Sequence, residues 1–261
     1  MTGLLASAAT LAFAWPLLLL AFQRHLLFPR PKPNPVLAAS THRIRQRVID
    51  VPGARLQAWL AEPLHPDDCA PGVLYFNGRR EHPTSIFHGL EQMPQIRVVC
   101  FRYRGLGLHW RKPDEGRLVA DALAVLDWMA RELGLPTERV TVAGRSLGSG
   151  LAVAVSAVRP VRRLALISPF DQALNAVRVR APWVQGWMLK DRFRSDQAIA
   201  RVSCPVLLVV GEQDRTVPPA LSLRLLEGWP GEPQAMVLPD MGHRGLMRDA
   251  RVQRRLAAFC R

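Results

Sequence analysis

From about residue 43 the chain alternates between short apolar runs and longer stretches whose apolar positions recur at helical spacing. Arg43–Val51 and Arg55–Glu62, separated by Pro52-Gly53, predict a β-hairpin, with Leu56, Ala58 and Leu60 at period two in the second arm. Unbroken apolar runs at Gly72–Phe76, Arg97–Phe101, Val140–Ala143, Leu164–Ile167, Val206–Val210 and Ala235–Leu238 predict strands covered on both faces. Helices are expected over Thr84–Met93, Gly116–Leu133, the residues after Gly148, Ala220–Leu226 and Arg244–Phe259. In Gly116–Leu133 the positions Leu118, Ala122, Val125, Leu126 and Met129 form one apolar face, and Gly134 supplies the stop. Pro169–Arg201 follows neither period. Strands alternating with helices predict the α/β class: a mostly parallel sheet with helices on both faces.

The first residues follow a different rule. Residues 3–22 carry no charge, and at about 1.5 Å rise per residue such a run spans roughly 30 Å, the thickness of a bilayer's hydrocarbon core. Arg24, His25, Arg30 and Lys32 come next, within a proline-punctuated stretch that must be extended. The division expected is therefore a single transmembrane anchor over residues 1–24, a basic stem over 25–42 and a folded α/β domain over 43–261. A cleavable signal peptide is the rival reading. The apolar run lacks a basic segment before it and a small-residue cleavage site after it. The positive charge after the anchor predicts that the folded domain lies on the cytoplasmic side.

Charge narrows the partners. The formal net charge is +14, and of 35 basic residues only Lys32, Lys112 and Lys190 are lysine. No nucleic-acid-binding motif accompanies the arginines, so beside an anchor an anionic lipid surface is the more economical partner, and no nucleic acid is expected. The four cysteines are scattered without metal-ligand spacing, so neither a disulfide nor a zinc site is predicted, and no cofactor is expected. Cys100 and Cys204 fall in apolar runs and read as core residues.

The chemistry gathers around Gly144-Arg145-Ser146-Leu147-Gly148, a G-x-S-x-G sequence between an apolar strand and a helix of small residues. A serine lifted onto so sharp a turn leaves no room for side chains two positions before and after it, which accounts for Gly144 and Gly148. Ser146 needs an imidazole to take its proton and a carboxylate to hold that imidazole. Of seven histidines only His243 comes after Ser146 in the chain, in a loop between the last strand and the last helix. For the acid, Asp214 lies just past the strand ending at Val210; Asp240, Asp171 and Glu212 are the competitors. Two backbone N–H groups must stabilise the oxyanion. Leu147, next after the nucleophile, offers one, and Arg79, in the Asn77-Gly78-Arg79 turn, offers the other.

The apolar N-terminal run followed by RHLLFPRP, then LYFNG, FRYRGLG, DEG, DALAVLDWM, GRSLGSG, SPF, KDRF, PVLLVVGEQDRTVPP and MGH, in this order over about residues 20–245, resemble the α/β-hydrolase superfamily. The resemblance is closer to its Bem46-like group, membrane-anchored serine hydrolases similar to the ABHD13 and ABHD17 proteins. It implies an α/β-hydrolase fold with an eight-stranded, mostly parallel sheet, Ser146, Asp214 and His243 as a triad, and oxyanion amides at Leu147 and Arg79. Asn77, Arg79-Arg80 and Leu108-His109-Trp110 depart from the group's pattern, all near the expected pocket mouth.

Between Asp171 and Gln197 a short cap is expected, with Trp183, Trp187, Met188, Leu189 and Phe193 among arginines. These residues would line an acyl pocket, rest at a lipid interface, or only cover the sheet. The expected function is hydrolysis of carboxylic esters or thioesters of hydrophobic acyl substrates through an acyl-enzyme. Peptidase chemistry on the same triad, or a membrane-tethered binding protein without catalysis, are the alternatives.

Overall fold

The computed structural model describes residues 23–31, 35–67, 69–105 and 113–261. Eight strands form one sheet in the order β1-β2-β4-β3-β5-β6-β7-β8: His42–Val51, Ala54–Pro63, Gly72–Phe76, Arg97–Phe101, Val140–Arg145, Arg163–Ile167, Val206–Gly211 and Gln234–Leu238 for β1 to β8. β2 pairs antiparallel with β1 and β4, and every other pairing is parallel. The β1–β2 turn is just Pro52-Gly53, with Gly53 at φ 71°. Proline's fixed negative φ next to a glycine at positive φ is the type II arrangement.

The six-residue-or-shorter runs of β3, β5, β6 and β7 lie almost wholly out of contact with water, as strands covered by helices on both faces must. Alternate residues serve two separate cores. Leu74, Phe76, Val142, Leu164, Leu166 and Leu208 pack under helices α1 (Glu115–Leu133) and α2 (Leu147–Ser156). Val73, Tyr75, Ala143, Ala165, Ile167, Leu207 and Val209 pack on the other face. That face is closed by Pro83–Gln92 and by the last helix, Ala250–Cys260. The apolar stripe expected on α1 is buried as one face, Asp114 caps its start by accepting the Arg117 N–H, and Gly134 ends it at φ 60°. Cys100 and Cys204 are both buried.

Three expected elements differ. Pro83–Gln92 is a run of 3-10 turns rather than an α-helix. Its buried residues fall in rows three apart (Pro83, Ile86, Gly89 and Thr84, Phe87, Leu90), and only a helix of three residues per turn stacks such rows on one face. The cap holds α3 (Ala173–Arg178), α4 (Ser195–Ala198) and intervening 3-10 turns. After α5 (Pro219–Glu227), the final helix α6 spans Ala250–Cys260 instead of starting at Arg244. Gly245 at φ 95° breaks the chain there, and Asp249, accepting the Arg251 N–H at 2.8 Å, caps the true start.

Among the described residues no helix is long and apolar enough to cross a membrane. The anchor expected over residues 1–24 falls almost entirely on residues 1–22, outside the described residues, as does Leu108-His109-Trp110. The segment from Gln23 to Phe28 is docked on the domain. The Gln23 side chain bonds to the backbone of Met188 and Lys190, Arg24 pairs with Asp191 at 2.9 Å, and Phe28 is buried.

α1 carries a buried ion pair. The Asp121 carboxylate, 0 % exposed, is held by the Arg104 guanidinium, with Nε at 2.6 Å. Removing the arginine leaves the fully buried Asp121 carboxylate without compensation, so Arg104→Met is expected to lower unfolding free energy by about 3–5 kcal/mol. Chemical denaturation measures it; Asp121→Leu with Arg104→Met, which removes both charges, should recover most of the loss.

Candidate active site

β3 has β4 on one side and β5 on the other, so the connections leaving β3 and β5 diverge and open a crevice at their carboxyl ends. The turn after β5 carries Ser146 into this crevice with φ 51° and ψ −119°, a conformation costing a serine roughly 1–3 kcal/mol. The flanking glycines permit it. A Cβ on Gly144 would overlap the Gly148 carbonyl and come within 2.8 Å of the Ala152 Cβ, and one on Gly148 would reach 2.6 Å from the carbonyl carbon of Phe76 and 2.8 Å from the Asn77 oxygen. The elbow is thus packed backbone to backbone against both its own helix and β3. The Ser146 N–H is spent on the Ile167 carbonyl at 2.9 Å, whereas Leu147 opens α2 and its N–H has no partner within the helix.

The loop after β7 holds Asp214, 3 % exposed. Its Oδ1 accepts the N–H groups of Thr216 and Val217, each at 2.8 Å, and its Oδ2 accepts His243 Nδ1–H at 2.7 Å. Burial alone would push this carboxyl's pKa up; the bond from His243, that ring's charge and the two backbone N–H groups outweigh it and hold the pKa below the ordinary value. With Nδ1–H committed to a carboxylate, the neutral ring keeps its Nε2 lone pair for the cavity. Backbone bonds fasten the two loops together: Glu212 N–H to Leu238 and Gln213 N–H to Met241, both at 2.9 Å. Gly211 makes that approach possible, since a Cβ there would meet the Met241 carbonyl.

The three competing acids stand elsewhere. Asp240 pairs with Arg251 on the surface at 2.9 Å, Asp171 accepts from Gln172 N–H and Asn175 at the start of the cap, and Glu212 is exposed.

Ser146, Leu147, Arg79 and His243 line one cavity of about 770 Å³. Among the described residues the Ser146 hydroxyl makes no hydrogen bond to the His243 ring. Among the described residues no hydrogen bond takes up the Arg79 N–H either. Its turn is shaped by Asn77, whose Nδ2 donates to the carbonyls of Gly78 and Glu81.

Two residues at the site had no sequence signal. Arg145, within the elbow, donates to the His243 carbonyl at 2.6 Å and pairs with Glu81 at 3.2 Å. The same Glu81 oxygen accepts the Gly78 N–H at 2.8 Å and the Tyr75 hydroxyl at 3.2 Å; burial pushes the Tyr75 pKa up, which keeps that proton in place. Arg145 therefore braces the loop bearing Arg79 against the loop bearing His243. Only the meeting of three loops reveals it.

Of the three roles open to the aromatic and apolar cap residues, lining the cavity is not the one they take. Phe193 is buried against Gly150, Met188 and Leu189 form a small core with Val184, and Trp183 and Trp187 are 46 % and 64 % exposed. None of the five lines the cavity, whose apolar wall is Phe170, Ala173, Ala176, Val177 and Val217 with Leu27 from the docked stem.

No protein-family model matches the chain. An uncharacterized protein of Mycobacterium tuberculosis is 32% identical over 248 residues, covering 92% of this chain and 85% of that one. The Arabidopsis thaliana α/β hydrolase domain-containing protein WAV2 is 28% identical over 77% of this chain and 74% of its own length. The chain belongs to the α/β-hydrolase superfamily. The zebrafish (Danio rerio) lysophosphatidylserine lipase ABHD12 is 29% identical over 60% of this α/β-hydrolase and 47% of its own length. Among solved structures, an acetyl xylan esterase from Paenibacillus sp. R4 superimposes with a TM-score of 0.67 at 18% identity, covering 87% of this chain and 86% of that one. At that identity the likeness establishes the shared fold.

Proposed function

We propose that this α/β-hydrolase is a serine hydrolase that cleaves carboxylic ester or thioester bonds of hydrophobic acyl substrates, with Ser146 as nucleophile, His243 as base and Asp214 as the acid that orients it. The observation carrying the reading is the 2.7 Å bond from His243 Nδ1 to a buried, ionised Asp214, on a histidine that shares its cavity with an elbow serine. Lipase relatives such as the zebrafish protein support hydrolysis of acyl esters. The apolar wall from Phe170 to Val177 suits an acyl chain. The uncharged run over residues 3–22 supports tethering at a membrane, with the domain on the cytoplasmic side.

The reaction runs in two halves. Ser146 Oγ attacks the acyl carbon while its proton passes to His243 Nε2, a hydrogen bond that forms as substrate fills the cavity. Negative charge collects on the former carbonyl oxygen, where the N–H groups of Leu147 and Arg79 receive it; one such donor is worth about 2.7–4 kcal/mol in the transition state. The imidazolium gives its proton to the leaving alkoxide or thiolate as the carbon–oxygen or carbon–sulfur bond breaks. Water then attacks the acyl-enzyme, its proton going to Nε2 and onward to Ser146 Oγ as the acid departs.

A fluorophosphonate probe tests the reading. The wild-type chain should gain one adduct on the peptide containing Ser146 and release p-nitrophenol from p-nitrophenyl octanoate with a burst of one equivalent per site. A folded chain that neither takes the probe nor turns over the ester would sink the enzyme reading and leave a binding protein.

A further inference from the structure

The cavity that holds Ser146 is polarised. One wall is apolar, and the mouth is ringed by Arg79, Arg80, Arg180, Arg244 and Arg248, all five standing exposed at its edge. Among the described residues none of these five makes an ion pair with a carboxylate. The single acid in the lining, Glu81, is occupied by Arg145, Tyr75 and the Gly78 N–H. Elsewhere the picture is mixed: Arg104, Arg159, Arg194 and Arg251 meet aspartates, whereas Arg43, Arg97 and Arg201 pair with no carboxylate among the described residues, so what sets the mouth apart is five arginines lining one cavity.

The cations are also crowded and held. Arg79 donates to the Leu26 carbonyl at 2.6 Å, and Arg180 donates to Thr216 Oγ1, on the same loop as Asp214. Burial, then the charges of Arg80 and Arg180, lowers the Arg79 pKa; burial and then Arg248 lower that of His88 on the same rim. Like charges kept together without a counter-ion raise the free energy of the empty site, and a bound anion would relieve it.

Resting on the serine-hydrolase reading, we infer that the substrate carries an anionic group, a phosphate or a carboxylate, on the part that projects from the ester toward the arginine rim, while its acyl chain lies on the Phe170–Val177 wall. Guanidinium groups suit such oxyanions because they donate forked hydrogen bonds in one plane. The preference concerns a molecule inside the cavity mouth, not the attraction of the whole basic domain to a bilayer.

Matched substrates test it. The purified full-length chain is given 1-octanoylglycerol and 1-octanoylglycerol 3-phosphate, both below the concentration at which they aggregate, and kcat/KM is measured for each. A carboxylate arm compares the p-nitrophenyl ester of octanoic acid with the p-nitrophenyl monoester of suberic acid, which places the charge at the far end of the acyl chain. The wild type should favour the phosphate ester by about tenfold or more at low salt. That ratio should fall toward one in Arg180→Gln with Arg248→Gln, in Arg180→Glu alone, and in about 0.5 M salt. Preference for the phosphate ester without preference for the suberate monoester places the anion on the leaving group, as inferred. Preference only for the suberate monoester overturns that placement. Equal hydrolysis of every substrate overturns the anionic reading and leaves the hydrolase reading intact. So does a ratio unmoved by the substitutions, even where they weaken adsorption to vesicles containing phosphatidylserine. Hydrolysis of none removes the hydrolase reading and this inference with it.

Discussion

Asp214→Asn is expected to lower kcat for ester hydrolysis by about 10⁴-fold while leaving the fold in place. The amide is the same size as the carboxylate and can still accept the Thr216 and Val217 N–H groups that now meet Oδ1 at 2.8 Å. It can also offer an N–H to His243, which selects the tautomer with its proton on Nε2, the nitrogen that must be free to take the Ser146 proton. His243→Ala and Ser146→Ala should each remove activity about as completely, and combining them should cost little more, because the residues act as one unit. Steady-state rates on p-nitrophenyl octanoate measure this. An Asp214→Asn variant within tenfold of wild type would show that His243 is oriented by something else.

The same carboxylate has a stability signature. Its pKa in the folded chain lies below its ordinary value, so the unfolded chain takes up the proton at the higher pH. The stabilisation is therefore complete above about pH 4 and is lost as pH falls further, through the lower folded value. Asp214→Asn should flatten that part of the stability–pH curve.

Gly148→Ala should be the most damaging single methyl in the molecule. The added carbon would sit 2.6 Å from the Phe76 carbonyl carbon and 2.8 Å from the Asn77 oxygen, and both are backbone atoms that cannot rotate aside. Relief requires moving α2 away from β3, which shifts the Leu147 N–H relative to the loop carrying Arg79. Overpacking of this kind costs typically 1–3 kcal/mol, and here the upper end is expected. An error of about 1 Å in the placement of reacting groups costs on the order of 10²-fold in rate, so probe labelling should slow by at least that factor in whatever folds. Gly116→Ala is the control: its Cβ would meet only Asp114 Oδ1 at 3.7 Å, and a helical alanine should be neutral or mildly stabilising. Equal melting temperatures and labelling rates for the two variants would contradict the packing argument.

Much of this could be read along the chain because it depends on near neighbours. The inner strands β3, β5, β6 and β7 announced themselves as apolar runs, since a strand covered on both faces has no polar position to show, whereas the edge strand β8 proves mostly exposed despite its apolar sequence. The glycines around Ser146 and the lone histidine after it are likewise local or ordinal facts. A helix over Thr84–Met93 was legible, yet a short amphipathic run leaves α and 3-10 geometry undistinguished until Gln253 and its helix pack beside Gly89.

Tertiary structure decided which loops meet. Four acids come after Ser146 at plausible places, and only the approach of the β7 loop to the His243 loop, made possible by Gly211, puts Asp214 at the imidazole and leaves Asp240 to Arg251. The Arg145–Glu81 brace, the apolar wall of Phe170 and Val177, and the ring of unpaired arginines are likewise products of the fold. In sequence these arginines belong to a uniformly basic chain; their significance comes from convergence on one mouth where, among the described residues, none of them pairs with a carboxylate. Periodicity and turn chemistry act over a few residues and so determine elements from sequence alone. Charge pairing and close contact act through space between residues as far apart as Arg145 and His243, so only the folded chain selects them.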